Sequence, residues 1–113
     1  RDSAHLELKE SLDLLREKNR ELFTTNFVRS ETYTLIGARL SYGDSRRWLR
    51  NLDVPIYRVY PDDEKEAIRI LLEWNDKEFS YVDATSFTIM KDNGVKDVLT
   101  LDEDFQHFGF QII

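Results

Sequence analysis

Cysteine is absent from the 113 residues, and proline, histidine and glycine are scarce, with two, two and four residues respectively. Without cysteine the chain has no disulfide, no thiolate metal site and no cysteine redox chemistry, which fits the cytoplasmic location that we expect. No apolar run approaches the roughly 20 residues that span a bilayer, and no secretory signal is visible. The hydrophobic share of 41% predicts a folded globule, with one domain over residues 1–113.

Several catalytic motifs are absent as well. The sequence has no glycine-rich phosphate loop, no nucleophile elbow and no HExxH pair, and its only histidines, His5 and His107, lie far apart. Carboxylates are abundant, because 22 acidic residues give a net charge of −6. An acidic total disfavours non-specific binding to nucleic acid, but carboxylates that hold a metal would also produce it. Metal-assisted hydrolysis is the reaction class that these residues support.

Helices and strands alternate along the chain, and this order predicts a parallel sheet flanked by helices. Asn26 is the expected N-cap of its helix, and Gly43 and Gly94 are expected to end the helices before them. The predicted strands are Leu22–Thr25, Ile56–Tyr60, Val95–Leu101 and Phe110–Ile113. The predicted helices are 3–19, Asn26 to about Tyr42, Ser45–Leu52, a long helix that opens at Pro61, Asp83–Asn93, and one or two turns within Asp102–Phe108 closed by Gly109.

Two helical faces are predicted to be buried, and one of them carries a carboxylate. In the second helix, Val28, Leu35 and Ala38 recur at helical spacing, and Glu31 falls on the same stripe. An unpaired glutamate on an inward face is rare, so Glu31 is a candidate functional residue. The alternative is a solvated residue at the edge of the stripe. The other predicted buried face belongs to the helix after Pro61 and consists of Ala67, Ile70, Leu71 and Trp74.

Two aspartates stand where a strand or apolar segment gives way to a helix. Asp83 follows Tyr81 and Val82, and Asp102 ends the predicted strand before it. Each has a structural interpretation as an N-cap. However, the carboxyl ends of parallel strands are where open α/β sheets place their sites, and converging carboxylates form an all-oxygen ligand set. Hard cations such as Mg²⁺ and Mn²⁺ prefer such a set.

Three segments together resemble the PIN-domain ribonuclease family of the VapC toxin type. They are Thr24–Thr32 (TTNFVRSET), Ser80–Phe87 (SYVDATSF), and Leu99–Phe105 (LTLDEDF) followed by Gly109-Phe110. The resemblance implies a three-layer α/β/α PIN-like fold with a parallel sheet. It also implies a metal-dependent endoribonuclease that hydrolyses RNA phosphodiesters with water activated by Mg²⁺ or Mn²⁺. An antitoxin protein and a homodimer are the partners that it implies.

The same resemblance implies roles for particular residues. Glu31, Asp83 and Asp102 take the acidic catalytic and metal-binding positions of the family, and Asp104 is an additional metal-binding candidate. Ser80 and Thr100 match polar residues beside the site. The main alternative is a PIN fold that binds RNA or a partner without cutting. A phospho-acceptor domain is a weaker alternative, because no adjacent acidic pair follows a first strand.

The resemblance also implies a strand that the sequence does not contain. The family begins with a central strand that ends in a metal-binding aspartate, whereas this chain begins at the following helix. We therefore expect the polypeptide to continue upstream of Arg1. On one side of that strand we expect Leu22–Thr25 and then Ile56–Tyr60, and on the other side Val98–Leu101 and then Phe110–Ile113.

One segment combines basic and aromatic residues. Arg46, Arg47 and Arg50 surround Trp48, and this cluster would contact RNA phosphates and stack a base if it binds RNA. The structural interpretation is a surface helix with Trp48 and either Leu49 or Leu52 packed inward. Trp48, Leu49 and Leu52 are also the candidates for an apolar patch that joins two copies of the chain.

Overall fold

The structure is a computed structural model that describes residues 21–100 and 104–113. The predicted helix 3–19 and the candidate Asp102 lie outside the described residues. The described strands are β1 (Thr24–Thr25), β2 (Ile56–Tyr57), β3 (Asp97–Val98) and β4 (Gln111–Ile112). The described helices are α1 (Asn26–Arg39), α2 (Tyr42–Asn51), α3 (Pro61–Glu73), α4 (Tyr81–Asp92) and α5 (Asp104–His107).

The chain divides into two compact units, one formed by Leu22–Thr88 and a second that contains Ile89–Ile113. In the first unit β1 pairs in parallel with β2, with Thr24 opposite Ile56 and Thr25 opposite Tyr57. In the second unit β3 pairs in parallel with β4. Both strand pairs are those that the sequence predicted, although each described strand has only two residues.

The break between α1 and α2 differs from the predicted one. α1 ends at Arg39, and Ser41 caps α2 by accepting a hydrogen bond at Oγ from the Asp44 N–H at 3.0 Å. Gly43 therefore lies inside α2 and does not break a helix, which corrects the sequence-based prediction. The serine–aspartate pair three residues apart is the stronger signal, because a cap satisfies a backbone donor that no helical carbonyl can reach.

Helices α1 and α2 pack against each other through small side chains. The Ser45 hydroxyl, which is fully buried, donates to the Tyr33 carbonyl at 2.8 Å. A Cβ at Gly37 would lie 2.4 Å from Cε1 of Tyr42, so glycine leaves room for that ring. This face, and not the stripe of Leu35 and Ala38, holds α1 to its neighbour, because both of those residues are exposed.

The core of the first unit lies around α3 and the first part of α4. Ala67 and Ile70 are buried as predicted, whereas Leu71 and Trp74 of the same predicted face are half-buried. Phe79 meets Phe87 edge to face, with ring centroids 5.0 Å apart. Aromatic pairs in this arrangement add about 0.5–1.5 kcal/mol to the contribution of buried area.

Helix α4 is buried through its middle, since every residue from 84 to 90 is buried. Two of these are threonines whose hydroxyls find partners inside the helix. Thr85 donates to the Val82 carbonyl at 2.6 Å, and Thr88 donates to the Ala84 carbonyl at 3.0 Å. The buried hydroxyls therefore need no partner on another element.

Gly94 and Gly109 end their helices as the sequence predicted. Both have positive φ, at 65° and 107°. After α4, the Val95 N–H donates to the Met90 carbonyl at 2.8 Å, and after α5 the Phe110 N–H donates to the Phe105 carbonyl at 3.0 Å. These bonds across a left-handed residue form Schellman motifs, in which glycine carries no steric penalty.

None of the helices in residues 21–100 and 104–113 is long and apolar enough to cross a membrane.

Candidate active site

The junction of β1 and α1 is fixed by two side chains. Thr25 is the N-cap of α1, because its Oγ1 accepts a hydrogen bond from the Val28 N–H at 3.0 Å. The prediction that Asn26 is the cap is wrong by one residue. Asn26 instead accepts a hydrogen bond at Oδ1 from the Val59 N–H at 2.7 Å, and this bond ties the first turn of α1 to the chain after β2.

Glu31 lies one turn beyond this junction and is half-buried. The predicted inward stripe is wrong, because Leu35 is 45% exposed, Ala38 is exposed and α1 has no fully buried residue. Glu31 follows Phe27 by four positions, so the two side chains lie on the same face of α1. The residues that contact Phe27 therefore show which part of the protein lies next to Glu31.

Asp83 is the third residue of α4. Ser80 caps the helix, because its Oγ accepts a hydrogen bond from the Asp83 N–H at 3.0 Å. The alternative in which Asp83 is itself the N-cap is therefore wrong, because Ser80 occupies that position. Asp83 is half-buried, and its negative charge lies in the first turn, where the helix dipole favours it.

An aromatic contact joins the first turns of α1 and α4. The rings of Phe27 and Tyr81 are stacked, with centroids 6.4 Å apart and planes 29° apart. The Tyr81 hydroxyl donates to Oε1 of Glu64 on α3 at 2.8 Å. This hydrogen bond, with smaller contributions from burial and from the Glu64 charge, raises the pKa of Tyr81 above its ordinary value. This contact thus joins the face of α1 that carries Glu31 to the turn of α4 that carries Asp83.

The remaining site candidates belong to the second unit. Thr100 follows β3 and is half-buried, and Asp104 begins α5, where its carboxylate lies 3.7 Å from Nδ1 of His107. Within residues 21–100 and 104–113, no three His, Cys, Asp or Glu side chains form a group that could hold a metal ion. Because Asp102 lies outside those ranges, the three-carboxylate site stays a prediction.

Comparison with known proteins decides the family. The PIN-domain profile matches residues 2–111, which is nearly the whole chain. The chain belongs to the PIN-domain family. It is 33% identical over 93 residues to the 23S rRNA-specific endonuclease VapC20 of two Mycobacterium tuberculosis strains, CDC 1551 / Oshkosh and ATCC 25618 / H37Rv. That alignment covers 79% of this chain and 70% of each relative.

A solved structure agrees with this assignment. The crystal structure of Mycobacterium tuberculosis VapC20, described as a sarcin-ricin loop cleaving toxin, matches with a TM-score of 0.81 and 29% sequence identity. The match covers 96% of this chain and 84% of that chain. The PIN-like α/β fold that the motifs predicted is confirmed, and so is the function class, an endoribonuclease of the PIN-domain toxin type.

The basic cluster of this PIN domain lies on α2. Arg46 and Arg50 are exposed, whereas Arg47 forms an ion pair with Asp44 at 2.8 Å. An exposed ion pair of this kind adds little stability, about 0–1 kcal/mol, and leaves most of the arginine accessible. Trp48 is half-buried, as its structural interpretation predicted.

Of the two leucines near Trp48, one packs inward and the other stays on the surface. Leu52 is half-buried and Leu49 is 42% exposed, so Leu52 is the one that packs inward. Leu49 remains available on the surface of the PIN domain.

Sequence reasoning missed three residues that position the described part of the site. Asn26 binds the Val59 N–H, and Phe27 and Glu64 both contact Tyr81. No local pattern reveals the bond from Asn26, because its partner is 33 residues away. The position of Tyr81, two residues before a candidate aspartate, is the signal that could have drawn attention to the aromatic contact.

Proposed function

We propose that this PIN-domain toxin-type endoribonuclease depends on a divalent metal ion and uses Glu31, Asp83 and Asp102 as its acidic site. The observation that carries the proposal is the stacked contact between Phe27 and Tyr81, because it joins the helical turn before Glu31 to the turn that contains Asp83. Asp83 lies in the first turn of α4 and Glu31 in the second turn of α1, so both carboxylates are presented by helices, and both are half-buried. Half-burial strengthens their interaction with a cation relative to bulk water.

The donor set fits a hard cation, because all the proposed ligands are carboxylates. Glu31, Asp83 and Asp102 would hold Mg²⁺ or Mn²⁺, with Asp104 as an additional ligand. When bound, the ion would lower the pKa of a water molecule and neutralise charge on the scissile phosphate. Ser80 fixes the turn of Asp83 through its cap, and Thr100 is the polar residue expected beside Asp102.

The substrate that we propose is ribosomal RNA. The similar mycobacterial proteins are named 23S rRNA-specific endonucleases, and the similar crystal structure is that of a toxin that cleaves the sarcin-ricin loop. Arg46 and Arg50 are exposed and would contact phosphates of the RNA. Each such contact releases counterions and makes binding dependent on salt.

We further propose an antitoxin partner, a homodimer and a cytoplasmic location. Leu49 is 42% exposed and forms the centre of an apolar patch, to which the half-buried Trp48 and Leu52 contribute only the part of their surface that stays accessible. Removing such side chains from water stabilises association by about 25 cal/mol per Å² of apolar area.

The proposal is tested by cleavage of a 23S rRNA fragment containing the sarcin-ricin loop with purified full-length protein. Cleavage should require Mg²⁺ or Mn²⁺ and stop in EDTA. Asp83→Asn should abolish it, because the change removes an anionic ligand while keeping the shape of the side chain. Asp76→Asn makes the same chemical change at an exposed position in the loop after α3 and should leave the rate unchanged.

Two outcomes would contradict the proposal in different ways. Cleavage that persists in EDTA and in Asp83→Asn would point to a different site or to a contaminating nuclease. RNA that is bound but never cut by the full-length protein would favour the non-catalytic binding module.

A further inference from the structure

Tyr81 is held in a defined position next to the proposed site. It is the first residue of α4 and lies two positions before Asp83. Its ring stacks against Phe27 of α1, and its hydroxyl donates to Glu64 of α3. The residue nevertheless keeps 40% of its surface exposed. Three helices therefore hold a tyrosine that is partly accessible from solvent.

Of the Tyr81 side chain, only the aromatic ring can interact with a ligand, because the hydroxyl is already hydrogen-bonded. The hydroxyl is engaged with Glu64, which keeps the phenol protonated at neutral pH, so it is a poor general base or acid for the cleavage step. The nearby Glu64 carboxylate repels phosphate, so an RNA backbone would not bind at the hydroxyl end. The rest of the side chain is an aromatic ring, and the part of that ring that Phe27 does not cover suits a nucleobase.

Proteins recognise single-stranded RNA by stacking unpaired bases on aromatic side chains. Every base has a π face, so this contact tolerates any sequence, and each stack strengthens binding by roughly 5- to 150-fold. A ring that is already ordered contributes more to the binding affinity, because less conformational freedom is lost on binding. Tyr81 meets this requirement, since its two ends are fixed by Phe27 and Glu64 before RNA arrives.

Tyr42 and Tyr60 of the first unit are more exposed than Tyr81, but neither belongs to α4, and Tyr60 is the N-cap of α3. Tyr42 is 57% exposed, yet it follows the end of α1 opposite to Phe27. The 14 residues of α1 rise by about 20 Å, so Tyr42 is far from the first turn of that helix. Tyr81 alone among these is part of the helical turn that contains Asp83.

We propose that Tyr81 is a nucleotide-binding residue whose ring stacks on an RNA base adjacent to the phosphodiester that is cut. The inference rests on the proposed ribonuclease function. Glu64 and Phe27 are positioning residues, because they act on the RNA only through the orientation of the Tyr81 ring.

The test compares Tyr81→Ala, Tyr81→Phe and the control Tyr42→Ala in the full-length protein. RNA binding is measured in EDTA, where cleavage is blocked, and cleavage kinetics are measured with Mg²⁺. Tyr81→Ala should weaken binding by about 5- to 150-fold and raise KM more than it lowers kcat. Tyr81→Phe keeps the ring and should stay within about threefold of wild type, as should Tyr42→Ala.

A cycle with modified RNA separates stacking from a structural role. Single abasic nucleotides are placed in turn at each position around the mapped cut. One abasic position should weaken binding to the wild type by the same factor as Tyr81→Ala, and should have no further effect on that variant. If Tyr81 only holds the helices together, each abasic nucleotide should weaken RNA binding equally in the wild type and in Tyr81→Ala. This result would overturn the inference.

The outcomes distinguish this inference from the function on which it rests. If the wild type cleaves RNA and Tyr81→Ala behaves like Tyr42→Ala, the stacking inference is wrong and the proposed function stands. If the wild type binds RNA without cutting it, the proposed metal-dependent catalysis fails, and the abasic cycle, with abasic nucleotides placed in turn along the whole bound fragment in EDTA, still decides whether Tyr81 stacks. If the wild type neither binds nor cuts RNA, both are wrong.

Discussion

Asn26 gives the sharpest test of how the described site is held together. Its Oδ1 accepts the Val59 N–H at 2.7 Å, and Val59 is buried, with 7% of its surface exposed. Asn26→Ala would leave this N–H without its acceptor, and an unsatisfied buried donor costs about 1–3 kcal/mol. We expect the free energy of unfolding to fall by about 2 kcal/mol, which is a large part of the 5–15 kcal/mol that is typical of a domain. Urea denaturation followed by circular dichroism measures it.

The matched variants make the reasoning refutable. Asn26→Asp keeps an acceptor oxygen at the same place, and its negative charge in the first turn of α1 suits the helix dipole, so it should retain most of the stability. Asn75→Ala changes an exposed asparagine in the loop after α3 and should shift stability by less than about 0.5 kcal/mol. If Asn26→Asp is as unstable as Asn26→Ala, or Asn26→Ala matches Asn75→Ala, the hydrogen bond does not hold the junction.

Three further predictions concern α1 and α2. Gly37→Ala should destabilise the wild type, where the new Cβ would meet the Tyr42 ring, and should cost at least about 1 kcal/mol less in a Tyr42→Ala background, where only the tighter contact with Ser45 remains. Additive effects in urea denaturation would contradict this. Arg46→Ala with Arg50→Ala should weaken RNA binding and reduce the salt dependence by a slope of about 0.7 per lost phosphate contact, with kcat unchanged; an unchanged slope would exclude these contacts. Leu49→Asp should convert a homodimer into a monomer in light scattering, and a wild type that is already monomeric would remove the patch.

The sequence predicts features of this fold that depend on neighbours along the chain. Gly94 and Gly109 were expected to end helices, and both do so with positive φ, because only glycine accepts that conformation without strain. The strand pairs were also predicted correctly, since alternating strands and helices restrict the order of a parallel sheet.

Features that depend on distant partners were missed. The stripe of Glu31 and Leu35 has the spacing of a buried face, but α1 packs on α2 through Gly37 and the Tyr33 carbonyl instead. Periodicity identifies the apolar face of a helix and does not identify its partner, so small residues at a close approach were overlooked. The hydrogen bond to Asn26 was missed for the same reason, because its donor, the Val59 N–H, lies in the chain after β2.

The candidate site combines both kinds of information, and α4 shows how. The sequence identified Asp83 as a strand-end residue or a cap, whereas the structure places it third in a helix that Ser80 caps. The seven residues after Asp83 are buried, and Thr85 and Thr88 satisfy their own hydroxyls within the helix. A helix enclosed in this way has little freedom to rotate or shift. The carboxylate in its first turn is therefore held more rigidly than it would be on a loop, as a ligand for a cation requires, because binding then orders few additional groups.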